Sequence, residues 1–147
     1  MQLSEQLARA FTAMGRAISQ LGGELPRADF VVLVRLAQTS DAGDPCRLRD
    51  LAHAEGLDQS TMSRRIASLA ERGLVERRPD PDDRRAHRLQ LTESGAAALA
   101  AERARRVSLV TDALAGWDES DKAELARLLG KLTDTLDSRR TPWRHTG

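Results

Sequence analysis

The sequence has a single cysteine, Cys46, in 147 residues. One cysteine cannot close an internal disulfide, which excludes the cross-linked secreted scaffolds and fits a reducing compartment. Long apolar runs are missing too. No segment approaches the length of a membrane span. The first ten residues already carry Glu5 and Arg9, unlike the layout of a signal peptide. A cytoplasmic location with no membrane partner is expected. Net charge is nearly absent: 23 basic side chains face 22 acidic ones, a formal +1. Bulk charge therefore gives no sign of a nucleic-acid partner. Lysine is scarce, at Lys122 and Lys131 only. Almost every cation is an arginine, whose planar fork suits phosphate and guanine edges.

Signatures of catalysis are absent as well. There is no G-x-S-x-G, P-loop, H-E-x-x-H or dinucleotide fingerprint, so no enzyme is expected. His53, His87 and His145 fall on different elements without ligand spacing, so neither a metal nor a cofactor is expected.

What is present is a soluble, mostly helical pattern, 40% hydrophobic and 31% charged, on a chain long enough to bury a core. Leu3, Leu7, Ala10, Met14, Ala17 and Leu21 form a heptad-like stripe, predicting a helix over 3–21 that Gly22 and Gly23 end. Pro26 suits the start of a second helix over 27–39. Residues 40–45 read as a loop. A short helix over 47–54 carries Leu48, Leu51 and Ala52, and Glu55, Gly56 and Leu57 make a tight turn. Asp58 is placed to cap a helix over 59–71, with Met62, Ile66 and Leu69 on its apolar face. Leu74–Arg78 and Ala86–Leu91 read as a hairpin with its tip between 79 and 85. Thr92 caps a helix over 93–114, Trp117 is expected between the last two helices, and Asp118 caps a final helix. There Leu125, Leu128, Leu129, Leu132 and Leu136 repeat.

A short helix, a glycine turn, a polar-faced helix and a hairpin, in that order, make a helix-turn-helix followed by a wing. Residues 62–90 hold eight arginines against five acids, so the local balance is positive where the global one is not. The major groove admits one helix, and that helix must present donors and acceptors near its start. Gln59, Ser60, Thr61, Ser63, Arg64 and Arg65 are such side chains. The wing can place an arginine in the narrow minor groove, with Arg84 and Arg85 as candidates and His87 close to a phosphate. The neighbouring acids look wrong for a phosphate surface, unless Asp83 salt-bridges Arg85 and fixes its direction.

The run LVERRPDPDDRRAHRLQLTESG resembles the wing signature of the MarR family of bacterial regulators, and LRDLAHAEGLDQSTMSRRIASLAERG resembles its helix-turn-helix. The likeness spans about residues 47–95. It implies that Arg85 enters the minor groove while Asp83 orients it, and that residues 58–71 hold the recognition helix. It also implies an obligate homodimer with interleaved terminal helices.

The expected fold is therefore mainly α with a small β-hairpin wing. Residues 40–92 form the winged helix-turn-helix, 1–39 and 93–138 a helical dimerisation region, and 139–147, with Trp143, a flexible tail. The expected partners are double-stranded DNA and a second copy of the chain. The expected function is binding of a pseudo-palindromic operator, as a repressor released by a small-molecule effector. An activator or a ligand-independent DNA-binding protein is the alternative. The resemblance places the effector between the dimerisation helices and the winged domain, where Met14, Ile18, Phe30 and Val34 are the candidate lining. Cys46 reads as a bystander thiol, since the reactive cysteine of the family's peroxide-sensing branch lies in the first helix.

Overall fold

Segments with apolar residues at three- and four-residue steps fold as helices, and the stretch after Leu74 folds as a hairpin. The structure, a computed structural model, describes residues 2–41, 43 and 46–138. The tail expected at 139–147, with Trp143 and His145, lies outside the described residues. The order is α1 (Gln2–Gln20), α2 (Arg27–Asp41), α3 (Leu48–Ala54), α4 (Gln59–Glu71), β1 (Val75–Pro79), β2 (His87–Leu91), α5 (Glu93–Ala113) and α6 (Glu119–Ser138). Among the described residues no helix is long and apolar enough to cross a membrane.

The second helix runs two residues past its expected end. Thr39 would ordinarily favour a break, but its hydroxyl donates back to the carbonyls of Leu36 (3.0 Å) and Arg35 (3.3 Å), so the side chain is satisfied within the helix. Trp117 departs from expectation more clearly. Its N–H closes a turn on the Leu114 carbonyl, and its indole is left 48% exposed. The Asp118 carbonyl accepts the first helical bond of α6, from the N–H of Lys122.

The chain divides into two compact units, Met1–Leu109 and Val110–Gly147. The boundary falls within α5. The first unit contains the core. Val32, Leu33 and Leu36 from α2, Leu51 and Ala52 from α3, and Met62, Ile66 and Leu69 from α4 are buried together with Leu74, Val75, Leu89 and Leu99. Thus α2 shares one core with the helix-turn-helix. The turn after α1 is tied down by two arginines. Arg105 donates to the Leu21 carbonyl (2.8 Å), and Arg72, the C-cap of α4, donates to the Glu24 carbonyl (2.7 Å) and to Asp29 (3.3 Å).

The angle between α3 and α4 depends on the turn that joins them. The Leu57 N–H bonds to the Ala52 carbonyl and the Gly56 N–H to the His53 carbonyl, with Gly56 at φ +64°. This pairing is the Schellman closure, which needs a left-handed residue at its centre and so favours glycine.

The hairpin is antiparallel, pairing Val75 with Leu91 and Pro79 with His87 at its two ends. Its base is closed by Thr92. The Thr92 N–H donates to the Leu74 carbonyl, its hydroxyl donates to the Gly73 carbonyl, and the same oxygen accepts the Gly95 N–H at the start of α5. Gly95 is buried where α5 meets the start of the wing. A Cβ built there would stand 1.9 Å from the Leu74 carbonyl oxygen, so only glycine permits this approach.

Cys46 belongs to the core, at 2% exposure. Its carbonyl accepts the Leu89 N–H at 2.7 Å, joining β2 to the segment before α3. Burial pushes its thiol up to about 11, against a smaller opposing pull from a hydrogen bond with Thr39. A buried thiol kept protonated is a poor nucleophile.

Two outcomes are expected. Gly95→Ala, which in an ordinary helix interior is stabilising, should here destabilise by about 1–3 kcal/mol through overpacking, read from urea unfolding midpoints. Cys46 should not react with a disulfide reagent at pH 8 in the native protein and should react fully once guanidinium unfolds it. Rapid native reaction would show the thiol to be accessible.

Candidate nucleic-acid interface

Helix α4 is fixed by three side chains, Met62, Ile66 and Leu69, each with no exposure. Its start is fixed by Asp58. One carboxylate oxygen accepts the Thr61 N–H (2.8 Å) and the Ser60 hydroxyl, and the other accepts the Thr61 hydroxyl (2.7 Å). These bonds hold the Asp58 carboxyl well below the usual range, the Ser60 hydroxyl contributing most. A cap of this kind satisfies backbone N–H groups that the helix leaves open at its start.

With the helix so anchored, the six candidates separate. Gln59, Ser60 and Arg64 are exposed, whereas Thr61, Ser63 and Arg65 are half-buried. At 100° per residue, Ser60 and Arg64 project opposite the buried stripe. Ala67, Ser68 and Glu71 continue the exposed face into the next turns. Arg65 lies on the flank, where it lines a hollow of about 370 Å³ with Arg27, Val31, Glu55 and Leu57. The hydroxyls of Ser60 and Thr61 are partly committed to the cap. Ala67 and Ser68 are absent from the sequence-based candidates because that reading stopped at the polar run ending in Arg65.

On the wing, Arg84, Arg85 and His87 are exposed. The expected Asp83–Arg85 salt bridge does not form. The Asp83 carboxylate instead accepts the Arg85 backbone N–H at 2.9 Å, and the Ala86 N–H closes on the Asp83 carbonyl. A carboxylate in this position makes an Asx turn, which fixes the backbone and leaves the guanidinium free.

The other acids of the region are likewise used within the fold. Asp80 is the clearest case, and sequence reasoning missed it. Its side chain has no exposure. One oxygen receives Arg47 through Nε (3.0 Å) and Nη2 (2.7 Å), while the other accepts the Asp82 N–H (2.9 Å) and lies 3.4 Å from Arg88 Nη2. The Asp80 N–H in turn donates to the Ala86 carbonyl. Its carboxyl is pulled down to about 2, most by the Asp82 N–H and then by the two arginines, against the cost of burial. Removing either arginine would leave the enclosed Asp80 charge less well compensated. Glu76 is engaged by Gln90 and Arg78, and Asp82 by Arg88.

The consequence is electrostatic. Arg64, Arg77, Arg84 and Arg85 are all exposed. None takes part in the ion pairs found among the described residues, which involve Arg35, Arg47, Arg72, Arg78, Arg88, Arg105, Arg106 and Arg127 with Lys122. Asp80 and Asp82 thus neutralise arginines that hold the fold, and Arg64, Arg77, Arg84 and Arg85 are left without an ion pair among the described residues.

The four candidate ligand-lining residues are in less uniform settings. Phe30 and Val34 pack against the core, Ile18 is half-buried and Met14 is 44% exposed. One face of Phe30 is covered by the Arg106 guanidinium, 3.4 Å from the ring centroid, and Arg106 is itself paired with the buried Glu102 at 3.0 Å. Among the described residues, no group of three or more His, Cys, Asp or Glu could hold a metal ion.

Comparison with known proteins agrees with this arrangement. The MarR family model matches residues 25–87. The chain is 31% identical over 110 residues to the uncharacterised HTH-type transcriptional regulator YxaD of Bacillus subtilis (strain 168), covering 75% of this chain and 74% of that protein. It is 33% identical over 112 residues to the HTH-type transcriptional repressor NicR of Pseudomonas putida, covering 75% and 69%. Among solved structures, a MarR family protein from Bacillus stearothermophilus matches with a TM-score of 0.77 at 18% identity, over 92% of this chain and 94% of that one. Bordetella bronchiseptica BpsR, whose DNA binding is regulated by 6-hydroxynicotinic acid, matches with a TM-score of 0.63 at 27% identity, over 90% and 99%. The chain belongs to the MarR family and is a transcriptional regulator of that type, not an enzyme.

Proposed function

We propose that the chain binds a pseudo-palindromic DNA operator as a homodimer, in the cytoplasm, and represses transcription by occluding polymerase until a small molecule releases it. The observation that carries the DNA-binding part is the set of exposed, unpaired arginines at two places, Arg64 on the outward face of α4 and Arg84 and Arg85 on the wing. In this reading α4 enters the major groove, where Arg64 meets a guanine edge or a phosphate. The wing lies along the backbone with Arg85 in the minor groove, Asp83 shaping the turn that presents it, and His87 at a phosphate. Gln59, Ser60, Thr61, Ser63 and Arg65 flank Arg64. The free arginines supply the phosphate-directed attraction that a net charge of +1 conceals.

The homodimer is supported by the helices at both ends. None of the residues of α1 is buried, and Leu3, Phe11 and Met14 are 75%, 59% and 44% exposed. Nothing in α6 is buried either, with Leu128, Leu129 and Leu136 about half exposed. Apolar surface repeated at helical spacing on this scale calls for a partner. Repression is supported by the likeness to NicR, a repressor, and release by an effector by the likeness to BpsR. The proposed effector site involves Met14, Ile18, Phe30 and Val34, with Arg106 at its edge.

A gel-shift at low salt with the DNA upstream of the chain's own gene tests the central claim, and no retardation would count heavily against it. Arg85→Ala should weaken binding by about 1–3 kcal/mol, the size of a single groove contact. An unchanged affinity and salt slope would remove the minor-groove role. Arg64→Ala should alter sequence preference if Arg64 reads guanine. A uniform loss across sequences would instead assign it to phosphate. Sedimentation should give twice the chain mass, and a monomer at micromolar concentration would refute the homodimer.

A further inference from the structure

The wing is a two-stranded hairpin, and such a hairpin has little stability of its own. The position of its tip depends on what holds its outer half. Thr92 and Gly95 secure the base near Leu74, but Arg84 and Arg85 lie at the opposite end. Beyond the packing of Leu89 in the core, two polar links among the described residues join the outer half to the segment before α3. One is the backbone bond from Leu89 to Cys46, at 2.7 Å. The other is the cluster around Asp80, at the end of β1.

Asp80 touches each part of that cluster. Arg47, immediately before α3, reaches it with two guanidinium nitrogens, and Arg88 reaches it from β2. Asp82, in the tip itself, gives its N–H to the same carboxylate, and Ala86 closes the tip on the Asp80 N–H. Arg88 Nη2 also meets Asp82 at 3.2 Å, while its Nε is buried without a partner. The Asp80 carboxylate is therefore the charge that offsets two partly buried guanidiniums, and it contacts the tip, the returning strand and the start of α3 together.

We infer that Asp80 is a positioning residue for operator recognition, which holds the wing tip at a fixed place relative to α3 and α4 through Arg47 and Arg88. The inference rests on the DNA-binding reading given above. Asp80 itself, with no exposed side-chain surface, does not meet DNA. It acts by presenting Arg84 and Arg85 at the height where the minor groove passes. Without its charge the hairpin keeps its base and its arginines but loses the register between them and the recognition helix.

A double-mutant cycle tests this. The probe is the tightest duplex selected by the wild-type chain from a random DNA pool. Binding is measured for the wild type, Asp80→Asn, the wing variant Arg84→Ala/Arg85→Ala, and the combination. The thermal midpoint and the folded fraction are recorded for each. Asp80→Asn and the wing variant should each weaken binding by about fivefold or more, and the combination should be within about twofold of the wing variant. A change that only lowered the folded fraction would multiply with loss of the arginines, whereas loss of position makes the arginines redundant. Multiplying losses, or wild-type binding by Asp80→Asn, overturn the inference while leaving the wing's role intact. A wing variant that binds as wild type refutes the wing reading itself, and the inference with it. If Asp80→Asn does not fold, Arg47→Met replaces it in the same cycle. That variant removes the two-nitrogen contact and leaves Asp80 bonded to Asp82 and near Arg88.

Discussion

Met62, Ile66 and Leu69 have no surface left to give to water, and they fix α4 about its own axis. Burying three such side chains contributes about 1.5–3 kcal/mol each. A turn of the helix by one residue, 100°, would expose them. The outward face follows from that constraint. It carries Ser60, Arg64, Ala67, Ser68 and Glu71, while Arg65 is carried to the flank and into a hollow beside α2. Two adjacent arginines that look equivalent in the chain are thus in different environments. The Gly56 turn and the Asp58 cap act on the same variable, since they set where α4 begins and so which residue reaches its tip.

The wing applies a related economy to charge. Aspartates at 80, 82 and 83 surround the arginines proposed to meet a polyanion, an arrangement that appears self-defeating on the sequence. In the fold, Asp83 faces a backbone N–H, Asp82 pairs with Arg88, and Asp80 is buried between Arg47 and Arg88. Asp80 and Asp82 have their charge offset locally by a structural guanidinium, whereas Asp83 is held to a backbone N–H and keeps its charge. The near-zero net charge and the proposed electropositive face are then compatible, because Asp80 and Asp82 are offset by Arg47 and Arg88 and not by the exposed arginines.

Helix existence and type were legible from the sequence because α1, α3, α4 and α6 carry periodic apolar residues, while Pro26 and Thr92 mark the starts of α2 and α5. The predicted spans of α3, α4 and α5 fall within a residue of those found, and Thr92 and Asp58 cap as their residue types suggest. What was illegible depends on pairs distant in the chain. Asp80 and Arg47 are 33 positions apart, and no periodicity joins them, so Asp80 read as turn chemistry. Gly95 ended the stretch that resembles the family's wing, yet nothing local shows that it yields to the Leu74 carbonyl. The Asp83–Arg85 pairing had the right partners and the wrong atoms, because a spacing of two cannot distinguish a side chain from its own backbone. The exposure of Trp117 likewise depends on packing that no local pattern encodes.

The exposed stripes of α1 and α6 have a further meaning when set against the energy that recognition needs. A well-placed groove contact discriminates by about 1–3 kcal/mol. Counting its arginines alone, Arg64 and one on the wing, one copy of the proposed surface supplies about 2–6 kcal/mol. Separating an operator from bulk DNA takes about 4–10 kcal/mol. A single winged unit therefore falls short over most of that range, and two units bound to one pseudo-palindrome cover it. The apolar residues left uncovered at the two ends of the chain, Leu3, Phe11 and Met14 in α1 and Leu128, Leu129 and Leu136 in α6, are on this account what makes recognition possible. In the proposed homodimer they would join the second half-site to the first, and a chain that buried those stripes within itself would have the right contacts and too few of them.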